Sequence, residues 1–269
     1  MDKIKFKYAC DKIINKERKQ NGIGTLGEKT LHAVLKCYFE PHEDNQEIRL
    51  GGYVADIVGE NGVIEIQTRN FNALRNKLER LQEFCDVTEV IPIAQKKYLS
   101  RLDKDTGDKV TKRKTPTTGS HKDALKELYK IKYTLDNPRM NFCAVMLELE
   151  EIRYLNGWSN DKKRGSTRCD RIPINIIDEI YLNCSNDYKI FIPDTLPMEF
   201  TSLDFAKCAK IKRNIAQLAI NILFYLELIE FVGKSGRNKL YKIKNNNFWK
   251  DRYTKWEPKE SLQLFYQRL

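Results

Sequence analysis

Asp56, Glu65 and Gln67 flank Gly59-Glu60-Asn61-Gly62, a strong hairpin signal between the strand-like runs Tyr53–Val58 and Val63–Thr68. If Gly59 faces Gly62, Asp56 lies opposite Glu65; a two-residue Asn61-Gly62 turn sets Asp56 opposite Gln67 instead. Both registers keep the three polar residues on one face and Ile57, Ile64 and Ile66 on the other, because strand side chains alternate. Carboxylates about 5 Å apart across strands repel each other. A hard divalent cation removes that penalty, since Mg²⁺ takes one or two carboxylates together with waters and phosphate oxygens. The ordinary alternative is a solvent-facing polar stripe. Val54, Val58 and Val63, apolar on the same face, argue for a covered strand.

These residues need elements to hold them. Residues 4–19 read as a basic helix, broken by Asn21-Gly22-Ile23-Gly24. From Thr25 to Phe39 a second helix spaces Leu31, Val34, Leu35 and Tyr38 on one face, and Thr25 with Glu28 has the form of a capping box. Gln46–Leu50 adds a strand before the hairpin. Asn70–Phe84 reads as an amphipathic helix capped by Asn70, and Val87–Ile93 as a buried strand. Further on, Leu99–Asp103 and Lys109–Lys114 pair across a turn, Ser120 caps a helix running to about Leu135, and Phe142–Ile152 is a strand.

Asp56, an eight-residue gap and Glu65-Ile66-Gln67, set in the order helix, three strands, helix, strand, resemble the PD-(D/E)XK nuclease superfamily, the restriction-endonuclease-like fold. The resemblance covers roughly residues 20–95. Its implied fold is α/β, with an α-β-β-β-α-β core. It implies that Asp56, Glu65 and the main-chain carbonyl of Ile66 hold Mg²⁺ (or Mn²⁺), and that Glu28 on the first core helix binds directly or through water. Gln67 would position the attacking water, and hydrolysis would leave a 5′-phosphate. Two features depart from the family pattern: Val54-Ala55 precede Asp56 where a proline is usual, and Gln67 stands where a lysine is usual. Gln orients water but carries no charge. Lys77, on the next helix, is a candidate for the cationic role, though a solvated helix surface is its more ordinary place. Glu28 also has an ordinary role as the third residue of a capping box.

The formal net charge of +11, from 48 basic and 37 acidic residues, favours a polyanionic partner. Residues 95–122 hold nine basic side chains against three acidic ones, with Lys112, Arg113 and Lys114 beside threonines suited to phosphate contacts. Asn156 to Arg168 is polar and glycine-containing and reads as a linker, after which Pro173–Leu182 reads as a helix. A short helix capped by Thr201 or Ser202, the turn Lys210-Ile211-Lys212, a long helix from Arg213 to Leu226 and a glycine-tipped basic hairpin form the pattern of a winged helix-turn-helix. Lys212, Arg213 and Gln217 would face the major groove, and Lys234, Arg237 and Lys239 would lie on the wing.

Seven cysteines are scattered singly among three histidines, so no zinc cluster is expected, and the thiols fit a reducing cytoplasm. No apolar run is long enough for a membrane span, and the N-terminus lacks a secretory pattern. The expectation is a nuclease-like unit over 1–155, a winged-helix unit over 170–248 and a tail over 249–269. Its function would be that of a Mg²⁺-dependent DNA endonuclease in restriction or mobile-element defence, acting alone or as a homodimer. Its alternatives are a DNA-binding regulator with a catalytically silent nuclease fold and an RNA-directed nuclease.

Overall fold

The computed structural model describes residues 1–20, 30–68, 71–103, 106, 109–154 and 167–244. Helix α1 (Lys3–Gln20) begins where the Asp2 carboxylate accepts the amides of Ile4 and Lys5, both at 2.9 Å. Such a cap satisfies donors that the first turn leaves open. Helix α2 (Thr30–Phe39) follows. Strands β1 (Gln46–Leu50), β2 (Tyr53–Gly59) and β3 (Gly62–Ile66) form an antiparallel meander. Helix α3 (Phe71–Leu81) then carries the chain across to β4 (Val87–Leu102), which lies parallel to β3. A parallel pair requires such a crossover.

The chain continues through β5 (Lys109–Lys114), α4 (Leu125–Lys130), β6 (Met140–Tyr154) and β7 (Thr167–Leu182). The resulting sheet has seven strands in the order β1-β2-β3-β4-β6-β7, with β5 paired to β4. β4 and β6 are parallel, while β6 and β7 are antiparallel. The fold class is therefore mixed α/β.

Apolar layers cover both faces. Phe6, Leu31, Leu35 and Tyr38 of α1 and α2 pack with Ile57, Ile66, Val90 and Val145 on one side. On the other, Val58, Val63, Val87 and Phe142 pack with Leu78 of α3 and Leu128 of α4. This second layer runs on without a break into the C-terminal unit through Phe205, Ala216 and Leu223. That unit comprises β8 (Glu199–Phe200), α5 (Ser202–Ala209), α6 (Arg213–Tyr225), β9 (Ile229–Ser235) and β10 (Asn238–Ile243), with strand order β8-β10-β9. Thr201 and Asp204 form a reciprocal cap on α5, and Lys210 turns the chain into α6 with a left-handed φ of 53°.

Several expectations need correction. Pro173–Leu182 is not a helix but the larger part of β7, laddered along β6 from Phe142↔Leu182 to Tyr154↔Thr167. Ile172, Ile174, Ile176, Ile177 and Ile180 favour extended backbone, and Pro173 is tolerated because β7 is an edge strand with a register shift beside it. The first residues assigned to the C-terminal unit therefore belong to the large sheet. The strands expected at Val87–Ile93 and Leu99–Asp103 are one continuous β4, and Lys109–Lys114 does pair with it. The helix expected to run from Ser120 to Leu135 is divided into a 3-10 turn (His121–Ala124), α4 and a second 3-10 turn (Lys132–Thr134). β8 was not anticipated. The expected cap Asn70, most of the linker (residues 156–166) and the tail with Trp249 and Trp256 lie outside the described residues. No helix among the described residues is long and apolar enough to cross a membrane.

Candidate functional site

The hairpin takes the register in which Gly59 faces Gly62, followed by Val58↔Val63 and Ile57↔Ile64. Gly62 has a φ of +105°, and a Cβ there would meet the Asp86 carbonyl oxygen at 2.2 Å. Only glycine allows this approach, which also lets the Val63 amide donate to the same oxygen at 2.8 Å. The hairpin is thereby locked to the start of β4.

Beyond Ile57 and Ile64 the sheet forks. β2 stays with β1 through Ala55↔Ile48, while β3 stays with β4 through Glu65↔Glu89 and Ile66↔Val90. Asp56 and Glu65 are the next opposed pair, and their side chains span the gap where backbone pairing stops. The Ile66 amide donates to Asp56 Oδ2 at 2.7 Å, and the Asp56 amide donates to Glu65 Oε1 at 3.4 Å. Two carboxylates thus take over the role of the ladder, and most of each is buried by the elements around it.

Lys77 of α3 donates to Glu65 Oε2 and, at 2.6 Å, to the carbonyl of Val54. It is a member of the site, not a solvated helix lysine. His32 of α2 meets Asp56 Oδ2 through Nε2 at 3.2 Å. Gln67 is half-buried at the end of β3, its amide donating to Val90 at 2.9 Å. Val58 and Val63 are buried as anticipated, but Val54 is half exposed at the outer edge. Glu28 lies outside the described residues.

Sequence reasoning missed Glu89. It is the register partner of Glu65 on β4, has no exposed surface, and neither carboxylate oxygen has a hydrogen-bond partner among the described residues. An acid inside the apolar run Val87–Ile93 was the available signal. Burial pushes its carboxyl well above the ordinary range, and Glu65 and Asp56 add to the rise. Glu65 is pushed up to about 7, chiefly by burial, with Asp56 raising it and Lys77 opposing. For Asp56 burial also raises the value, but His32, the Ile66 amide and Lys77 outweigh it and hold the carboxyl below its usual range. Among the described residues, no three of His, Cys, Asp and Glu are gathered into a set that could itself hold a metal ion.

The expected basic contacts fall into two groups. Lys112 is committed to Glu150 at 2.9 Å and lies over the Tyr98 ring, whereas Arg113 and Lys114 are exposed on β5. In the C-terminal unit Lys212, Arg213 and Gln217 are exposed at the start of α6, and Lys234, Arg237 and Lys239 are exposed on the β9–β10 hairpin. Arg213 joins the two by donating to Asn238 Oδ1 at 2.8 Å. Lys234 and Lys239 are directly opposed across the hairpin, a like-charge pair that an anion would relieve. Among the described residues no disulfide links the cysteines, and burial pushes the thiols of Cys10 and Cys143 up to about 12, which leaves them unreactive near neutral pH.

Comparison with known proteins places this geometry in a sequence context. An uncharacterized protein of Treponema pallidum (strain Nichols) is 31% identical over 147 residues, covering 54% of this chain and 56% of that protein. The chain thus matches little more than half of that relative's length. No solved structure matches. Residues 29–183, from the start of α2 to the end of β7, match the family described as a domain of unknown function, DUF8091, and the chain belongs to that family.

Proposed function

We propose that the chain is a Mg²⁺-dependent DNA endonuclease, with a restriction-endonuclease-like core formed by α2, β1–β3, α3 and β4 and a winged-helix unit formed by α5, α6 and the β8–β10 sheet. The observation that carries this reading is the pair Asp56 and Glu65, side by side in the fork between β2 and β3 with Lys77 against them. An ordinary polar stripe faces water. This pair is held beneath α3, where like charges are expensive.

The residues fit a hard cation. Asp56 and Glu65 are oxygen donors, a main-chain carbonyl at Ile66 is adjacent, and Mg²⁺ needs only one or two carboxylates because it keeps waters and takes phosphate oxygens. The Glu65 carboxyl, raised by burial, gains from a neighbouring positive charge. When bound, the cation would polarise a phosphodiester and acidify a coordinated water. The chain's own groups do the rest. His32 holds Asp56 in its ionised form, Lys77 supplies the charge that Gln67 lacks, and Gln67 orients the attacking water. The exposed cations of α6 and the β9–β10 hairpin would grip the DNA backbone.

Plasmid incubated with the protein and Mg²⁺ or Mn²⁺ should be nicked or cut, and chelator should stop the reaction. Asp56→Ala should lower the rate by about a thousandfold, as expected when several kcal/mol of transition-state stabilisation are lost. Retained DNA binding with no cleavage by the wild type of duplex DNA, single-stranded DNA or RNA would favour a silent DNA-binding regulator. Cleavage of RNA alone would redirect the reading to ribonucleic acid.

A further inference from the structure

Among the described residues, Glu89 is the least satisfied polar group of the fork. A carboxyl with no exposed surface and no partner for either oxygen is costly, and such groups in folded proteins usually have a ligand, ion or water to meet them. The residue beside it on β6 in the sheet register is Phe142, whose apolar ring donates nothing, and its register partner on the other side is Glu65. Lys77 does not fill the need, because its ammonium is directed to Glu65 and the carbonyl of Val54. Glu89 shares a face with Glu65 and is aimed into the same covered space beneath α3.

We propose that Glu89 is a positioning residue for the cation site, accepting hydrogen bonds from waters carried by a divalent cation on Asp56 and Glu65. This rests on the cation-dependent reading above. An outer position, not a direct bond, agrees with the lack of a three-member ligand set among the described residues. Mg²⁺ keeps several of its waters when bound, and those waters need acceptors. Outer-shell partners of this kind typically govern affinity by 10–100-fold. An acid on β4, one strand beyond the Glu65-Ile66-Gln67 run, would thus complete the site from the third of three neighbouring strands.

Calorimetric titration of Mg²⁺ and Mn²⁺ into the full chain without nucleic acid tests this on wild type, Glu89→Leu, Glu89→Gln and Asp56→Ala. Thermal unfolding in chelator is measured alongside. Glu89→Leu should weaken cation binding by about 10–100-fold, while its cation-free melting temperature equals or exceeds that of the wild type. Glu89→Gln, which keeps one acceptor oxygen, should fall between the two, and it decides the matter if the leucine variant fails to fold. Wild-type affinity in the Glu89 variants, with binding lost in Asp56→Ala, overturns this proposal and leaves the fork reading intact. No binding by the wild type overturns both.

Discussion

Glu65 and Glu150 lie in the same large sheet, both almost removed from solvent, and their surroundings are opposite. Glu150 accepts from Ser100 at 2.5 Å and from Lys112 at 2.9 Å, and is also paired with Lys109. Its neighbour Glu151 is met by Arg153 at 2.5 Å, with Lys97 and Arg168 within 3.7 Å. Burial alone would raise Glu150, but Lys109, Ser100 and Lys112 bring it down to about 2. At the fork, among the described residues, one lysine is ion-paired with Glu65, no group donates to Glu89, and burial wins at both. One region has gathered enough donors to hold its charges. The other has been left short of positive charge beneath a helix, and the proposed cation site rests on that shortage.

The most severe way to break this contrast is to unlock the fork itself. Gly62→Ala forces a Cβ against the Asp86 carbonyl in a backbone conformation that alanine resists. The variant should lose about 3 kcal/mol of stability, combining left-handed strain with overpacking. Urea unfolding measures it, and a loss below about 1 kcal/mol would show that the hairpin is not locked to β4 as described. Cation binding at the fork should weaken in the same variant, while the Glu150 network, far along β4, should not respond.

A second, smaller effect probes the satisfied side. Glu150→Gln removes the acceptor shared by Ser100, Lys109 and Lys112 and should cost about 2 kcal/mol at pH 7, the usual scale for hydrogen bonds to a charged group. The pH dependence follows from the depressed carboxyl. The folded-state value of about 2 lies below the ordinary 4.5. The contribution is therefore present above about 4.5 and fades as pH falls towards 2. The gap between wild type and variant should narrow between pH 5 and pH 3.5. A gap that is constant or widens on acidification would mean that the lysines are not what holds Glu150.

Much of the fork could be read from the sequence, because strand alternation and the Gly59–Gly62 turn constrain Asp56, Glu65 and Gln67 without knowledge of anything distant. Lys77 was visible as a residue but not as a partner, since its direction is set by how α3 packs over β2 and β3. Glu89 was hidden for a related reason. Its neighbour Glu65 is brought beside it only by the parallel crossover, which no local pattern encodes. The same limit explains β7, whose isoleucines fit a helical or an extended period equally and became a strand because β6 offered a full ladder. The basic C-terminal unit was easier, for its cap at Thr201, its turn at Lys210 and its glycine-tipped hairpin are all local signals.

The subtlest test is Glu65→Gln, compared directly with Glu150→Gln in chelator. The folded-state carboxyl of Glu65 lies at about 7, above the ordinary 4.5. The folded protein therefore holds this proton more tightly than the unfolded chain does. The associated stability is fully present below about 4.5 and is lost as pH rises through about 7. Glutamine has no proton to lose and resembles the neutral acid. Near pH 5 the two proteins should unfold alike, and near pH 8 the variant should be more stable by about 1 kcal/mol, the gain limited by the lost attraction to Lys77. The sign is opposite to that at Glu150, on the same sheet and with the same substitution. If Glu65→Gln is instead destabilising at pH 8 by as much as Glu150→Gln is at pH 7, the fork is an ordinary satisfied ion pair. A cation would then have no electrostatic reason to bind there.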